Sequence, residues 1–164
     1  MEHDSLLYLP LSVAEFVMSM GMNSGAKDLS FLLKNMSPRL IEGQYVFCTV
    51  SSSRERPNDA QPVMAFLEKE GLTLIISRDE AERNGLPYNQ TWAMITLEVH
   101  SDLQAVGFLA AVTMRLARLG ISTNVVSAFH HDHVFVQSDR SDEAMKALKE
   151  MTREAKRTDG HGAI

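Results

Sequence analysis

Much of what would point to a familiar chemistry is missing from this chain. It has a single cysteine, Cys48, so no disulfide can form within it. That residue sits in the apolar alternation Tyr45-Val-Phe-Cys-Thr-Val50, which reads as a buried, inert thiol in a reducing cytoplasm. Lys and Arg form no cluster beyond Arg153 to Arg157, where Glu154 interrupts. With a net charge of −5, a nucleic-acid partner is not expected, because binding a phosphate backbone needs a basic face. There is no Gly-x-Ser-x-Gly elbow and no glycine pattern of a phosphate loop. No membrane span is expected either. Leu6 to Met22 is apolar, but Pro10, Ser12 and Glu15 interrupt it and it is short for a span. As a secretory signal it lacks the charge: Glu2 and Asp4 stand where Lys or Arg should, and no basic residue precedes Lys27.

What is present is a soluble composition, 164 residues with 45% hydrophobic and 23% charged. That is long enough to bury a sizeable core with no metal or disulfide staple, and suits one domain or two small ones. The most ordered stretch is Thr91 to Gln137. Ala93, Ile95, Leu97 and Val99 alternate with Met94, Thr96, Glu98 and His100, the period of two of a strand. Ser101-x-x-Gln104 has the form of a capping box, so a helix is expected to start at Ser101, with Asp102 in its first turn, and to run to about Leu119 before Gly120. A strand over Gly120 to Phe129 follows. A hairpin at His131-Asp132 returns a third strand to slot between the first two, and Ser141 to about Lys156 is a second helix. Ala105 to Val112 is apolar all round, which calls for cover on two sides. One side would meet the sheet and another unit, from this chain or a second copy, the rest, with Phe108 and Val112 among the outward residues and a homodimer or higher assembly expected.

Three segments of this stretch resemble the ACT domain: Leu97-x-Val-His-Ser-x-Leu-x-Ala-Val-Gly107, Gly120-Ile-Ser-x-Asn-Val-Val126 and His131-Asp-His-x-Phe-Val136. Upstream, Leu29-x-x-Leu-Leu33, Met36-x-Pro-x-Leu40, Tyr45-Val-Phe-Cys48 and Glu68-x-Glu-Gly-Leu-Thr-Leu74 are similar to the first unit of small bacterial proteins built from two ACT-like units. The resemblance covers roughly residues 28–151. It implies an α+β, ferredoxin-like fold of antiparallel sheets with helices on one face. It also implies a non-catalytic regulatory protein that binds an amino acid where two units meet, a homodimer, and no cofactor. The expected division is 1–27 as an N-terminal extension, 28–88 and 89–158 as the two units, and 159–164 as a frayed tail. Two readings of the extension stay open. Either the true start is Met20 or Met22, just before an unstructured Asn23-Ser-Gly-Ala, or Ser12 to Met20 is a real extra helix.

The expected ligand site is the turn His100, Ser101, Asp102, Leu103, Ala105, Val106 and Gly107, together with Asn124, Val125 and Val126 of the strand over 121–129 from a neighbouring unit. Free N–H groups and the dipole at a helix start seat an anion such as an α-carboxylate, and Asp102 or Asn124 would meet the ammonium. ACT domains typically carry Asp-x-Pro-Gly at this turn; here Gly107 falls later and no proline is present. His130, His131, Asp132 and His133, with His100, could in principle hold zinc, but their spacing matches no metal motif and a solvated hairpin turn is the plainer reading. The charges of Glu68 and Glu70 read as a solvated hairpin tip. The alternatives are a degenerate ACT module serving only dimerisation or protein contact, and a small enzyme built on the histidines.

Overall fold

The computed structural model describes residues 25–51 and 60–159. The expectations for the extension and for the 159–164 tail fall outside these residues, apart from the few noted below. The elements run α1 (Leu29–Asn35), β1 (Pro38–Leu40), β2 (Tyr45–Val50), β3 (Met64–Leu67), β4 (Leu72–Ser77), α2 (Arg78–Arg83), β5 (Trp92–Leu97), α3 (Phe108–Ala117), β6 (Thr123–Ser127), β7 (Asp132–Gln137), a 3-10 turn (Ser138–Arg140) and α4 (Ser141–Asp159). The fold is α+β and ferredoxin-like, as the resemblance implies.

Local chemistry accounts for most of these boundaries. Asp28 caps α1 by accepting the Phe31 N–H at 2.7 Å, and Pro38 disfavours helix at Ser37. Ser77 caps α2 by accepting the Glu80 N–H, and its hydroxyl donates to the Glu80 carboxylate at 2.9 Å. The Ser77-x-x-Glu80 spacing is that of a capping box. The expected hairpin at Glu70-Gly71 joins β3 to β4, with Glu68 N–H bonded to the Gly71 carbonyl. Glu68 and Glu70 are exposed there.

All strand pairs are antiparallel, and they form one continuous sheet in the order β3-β4-β2-β5-β7-β6, with β1 also pairing β5. The join between halves is a single register pair, Tyr45 opposite Trp92. Directly opposed residues share a face. The register therefore places Tyr45, Phe47, Trp92, Met94 and Phe135 on one face, and Val46, Cys48, Ala93, Ile95 and Val134 on the other. The second face carries the helices. One core there packs Ile95, Leu97, Val112, Leu116 and Leu148. Another packs Val46, Cys48, Leu74, Ile76 and Ala81. On the opposite face the rings of Tyr45, Phe47, Trp92 and Phe135 meet edge to face at 5.6–6.0 Å, a favoured geometry for aromatic pairs.

The first helix and strand are built into the second half of the molecule. Leu32 of α1 and Met36, its C-cap residue, are buried in the core with Ile95, Val112 and Leu148, and β1 pairs the far end of β5, Pro38 to Leu97. Thr152 of α4 donates to the Met36 carbonyl at 3.2 Å. β1 was not foreseen, because three residues after a proline carry too little alternation to read as a strand.

Ala144, Ala147, Leu148 and Met151 form one stripe at helical spacing on α4, and it faces the core. Leu32→Ala should cost about 2–5 kcal/mol, the usual range for emptying a buried leucine site. Phe31→Ala, at a side chain 49% exposed one residue away, should cost far less. Denaturant unfolding of both variants checks this. Equal losses, or a negligible loss for Leu32, would show that α1 is not part of that core.

Candidate functional site

The turn after β5 differs from its expected form. The helix does not start at Ser101; α3 begins at Phe108, and Gly107 is its N-cap residue. Both expected caps are engaged elsewhere. The Ser101 hydroxyl donates to Asp132 at 2.9 Å, and the Asp102 carboxylate accepts the Gln104 N–H at 2.7 Å, closing a tight turn of its own. Gly107 sits at φ +92°, a conformation a β-branched residue adopts only under strain. A Val at this position would therefore report backbone strain more than ligand exclusion. No side chain caps the first turn of α3, so its leading N–H groups are left pointing out of the helix. Ala105 offers none, since its N–H is bonded to the Asp102 carbonyl at 2.8 Å.

A cleft of about 180 Å³ opens at this helix start. Ser101, Asp102, Leu103 and Ala105 line it from the turn, Gly107 to Ala110 from the helix, and Ser127 and Asp132 from the β6–β7 hairpin. Five of the expected site residues are thus brought together: Ser101, Asp102, Leu103, Ala105 and Gly107. The other five lie off the cleft. Val106 points outward at 83% exposure. The His100 ring meets His130 instead, centroids 5.5 Å apart. Asn124 and Val126 pair with Phe135 and His133 on the face away from the helices, while Val125 lies on the helix face opposite Val134. Phe108 and Val112, expected to face outward, are buried in their own core. Exposed apolar side chains on the turn, on α3 and on the β6–β7 hairpin include Leu103, Val106, Met114 and Phe129.

Asp132 is the residue that sequence reasoning misplaced. The turn lies two residues earlier than expected, at Phe129-His130, with the Ala128 N–H bonded to the His131 carbonyl, so Asp132 is the first residue of β7. It is 3% exposed and accepts hydroxyl hydrogens from Ser101 at 2.9 Å and Ser127 at 2.6 Å. The signal was available: Asp132 shares its parity with the buried Val134 and Val136, on the helix face. The neighbouring histidines do approach His100, but they do not gather around a common point. His131 Nδ1 is 3.4 Å from the Val99 carbonyl, and His133 Nδ1 is 3.0 Å from the Thr96 hydroxyl on the other face. Among the described residues, no three His, Cys, Asp or Glu side chains converge to hold a metal ion.

A second strap secures the turn. The Ala26 N–H donates to the His100 carbonyl at 2.9 Å, the Asp102 N–H donates back to the Ala26 carbonyl at 3.0 Å, and Lys27 reaches Gln104 at 2.7 Å. Gly25 and Ala26, expected to be unstructured, are therefore part of the site's support. A Cβ on Gly25 would come within 2.4–2.7 Å of the backbone of His100, Ser101 and Asp102, so only glycine fits without a shift.

With the geometry in hand, comparison with known proteins places the chain. ACT-domain profiles match it twice, over residues 24–93 and 88–150, and the chain belongs to the ACT-domain family. It is similar in sequence and structure to a Vibrio cholerae protein of unknown function described as a possible transport protein. The two are 43% identical, with 79% of this chain and 99% of that one covered and a TM-score of 0.69. An Agrobacterium tumefaciens protein is 20% identical over 71% of this chain and 89% of its own, with a TM-score of 0.62. A putative C-terminal regulatory domain of aspartate kinase from Porphyromonas gingivalis is 14% identical over 73% and 98%, with a TM-score of 0.51. The last two establish likeness of fold alone. No curated protein matches the chain.

Burial holds the His133 imidazole below its usual 6.5, and the nearby His131 adds to the effect while Asp132 opposes it. A depressed folded pKa means that the unfolded state binds the proton more readily, so stability falls as pH drops below about 6.5 and is recovered above it. The melting temperature should therefore decline between pH 7 and 5.5, and His133→Gln should flatten that decline. Equal slopes for the two proteins would reject the assignment.

Proposed function

We propose that this chain is an ACT-type regulatory module that binds a small amino acid in the cleft at the start of α3. The observation that supports it most is the pairing of unlike ends. The uncapped first turn of α3, from Gly107 to Ala110, suits a carboxylate, and the opposite wall carries the buried carboxylate Asp132, which suits an ammonium. A zwitterion matches both.

A homodimer completes the reading. Leu103, Val106, Met114 and Phe129 are exposed apolar side chains of the turn, α3 and the β6–β7 hairpin, the elements that line the cleft, and a second copy packed on them would cover both these side chains and the ligand. Cys48 supports a reducing cytoplasm as the setting, because burial raises its thiol pKa and leaves it a poor nucleophile. Among the described residues no helix is long and apolar enough to cross a membrane. The same side chains also favour a second reading, in which this surface serves assembly alone and the cleft takes no ligand.

A thermal-shift screen over the twenty amino acids separates the two. At a hundredfold excess over Kd a ligand that binds only the folded form adds roughly 2.7 kcal/mol. For a chain of this size each 1 kcal/mol is about 2–4 °C, so one or a few amino acids should raise the melting temperature by several degrees. No shift from any amino acid at millimolar concentration would leave the assembly reading. For the dimer, Val106→Glu or Met114→Glu should give a folded monomer on sedimentation, because each buries an unpaired charge in the interface. A wild-type protein that is already monomeric at micromolar concentration contradicts the dimer.

A further inference from the structure

The two carboxylates lining the cleft are in different situations. Asp102 already has its partners: one oxygen takes the Gln104 N–H at 2.7 Å, and the other lies 3.9 Å from the Lys27 ammonium. Asp132 is far more enclosed, and the groups that reach it are two neutral hydroxyls, Ser101 at 2.9 Å and Ser127 at 2.6 Å. Among the described residues no Lys, Arg or His forms an ion pair with it. A buried carboxylate without a cation costs the fold, and two hydroxyl hydrogen bonds offset only part of that cost.

We propose that Asp132, presented by Ser101 and Ser127, is the anchor that reads the ligand's amine, and that the cleft selects a primary ammonium on a short carbon skeleton. The inference rests on the amino-acid reading above and adds which group recognises the amine and what size of ligand follows. An ammonium brings three N–H donors. The carboxylate of Asp132 keeps free lone pairs after accepting the two hydroxyls, and each serine oxygen, having given its hydrogen to Asp132, is left as an acceptor. Three acceptors of matched kind therefore stand together on one wall of the cleft. A hydroxyl in place of the amine would bring one donor and no charge. The volume of about 180 Å³ is well below the roughly 300–1,000 Å³ of pockets for drug-sized ligands, which fits a small amino acid, and glycine, alanine and serine are the smallest that carry the ammonium.

Calorimetric titration of the full chain with glycine, L-alanine and L-serine, set against glycolate, L-lactate and L-glycerate, tests this. The second set keeps each skeleton and replaces the amine by a hydroxyl. In the wild type at least one of the three amino acids binds, and its hydroxy acid binds roughly tenfold to a hundredfold more weakly, the range for losing charge-assisted hydrogen bonds. Asp132→Asn removes that preference, while Asp102→Asn keeps it. Ser127→Ala, which removes an acceptor without touching charge, narrows the preference and serves if Asp132→Asn does not fold. A wild-type preference within about threefold, or one that survives in folded Asp132→Asn, overturns the anchor and leaves the amino-acid reading standing. Binding of larger amino acids but none of these three overturns the size assignment. Binding of no amino acid at all overturns both this inference and the reading beneath it.

Discussion

Asp132 carries a carboxylate to a position that is 3% exposed, and the hydroxyls of Ser101 and Ser127 hold it there at 2.9 and 2.6 Å. These two bonds tie three parts of the chain that are distant in sequence. Ser101 belongs to the turn after β5, Ser127 ends β6, and Asp132 begins β7. Because a buried carboxylate cannot be left without donors, the turn must come to the hairpin. Ser101 is thereby taken away from any helix start. Gly107 then has to serve as the N-cap of α3, and the uncapped first turn and the carboxylate line the same cleft. The site is a consequence of satisfying one buried group.

The same turn is supported from its other side by Gly25 to Lys27, through two backbone hydrogen bonds and the Lys27 contacts with Gln104 and Asp102. Those residues lead directly into α1, whose Leu32 and C-cap residue Met36 sit in the core with α3 and α4. A change at the cleft therefore bears on the helix core through both α3 and α1. The join to the first half runs through the sheet, at Tyr45 and Trp92, and through the aromatic cluster on the far face. The two halves share a sheet, and the helix and strand that come first in the chain complete the half that comes second.

Much of the fold was legible because alternation and capping are local. The β5 alternation, the Ser77 capping box and the stripe on α4 each depend on residues within a few positions of one another, and all three are present. The failures share one cause, competition from partners far along the chain. Ser101-x-x-Gln104 has the form of a capping box, but Asp132, thirty-one residues on, claims the serine. Phe108 and Val112 belong to an apolar stretch with no evident inward side, and only the position of the sheet decides that they turn inward. At the site the turn residues were readable from the resemblance. Asp132 and Ser127 were not, because a turn at His131-Asp132 leaves Asp132 in the loop, and only the turn at Phe129-His130 sets Ser127 opposite it.

The central claim is that the start of α3 and Asp132 bind the two ends of one small zwitterion. Amide chemical shifts recorded during titration with a bound amino acid test it most directly. The account predicts that the largest changes fall on Gly107 to Ala110, on Ser127 and on Asp132, with smaller ones along the Gly25 to Lys27 strap. Changes centred elsewhere, for example on the polar rim of Gln44, Thr91 and Gln137 at the opposite end of β5, with the α3 amides unmoved, would contradict it.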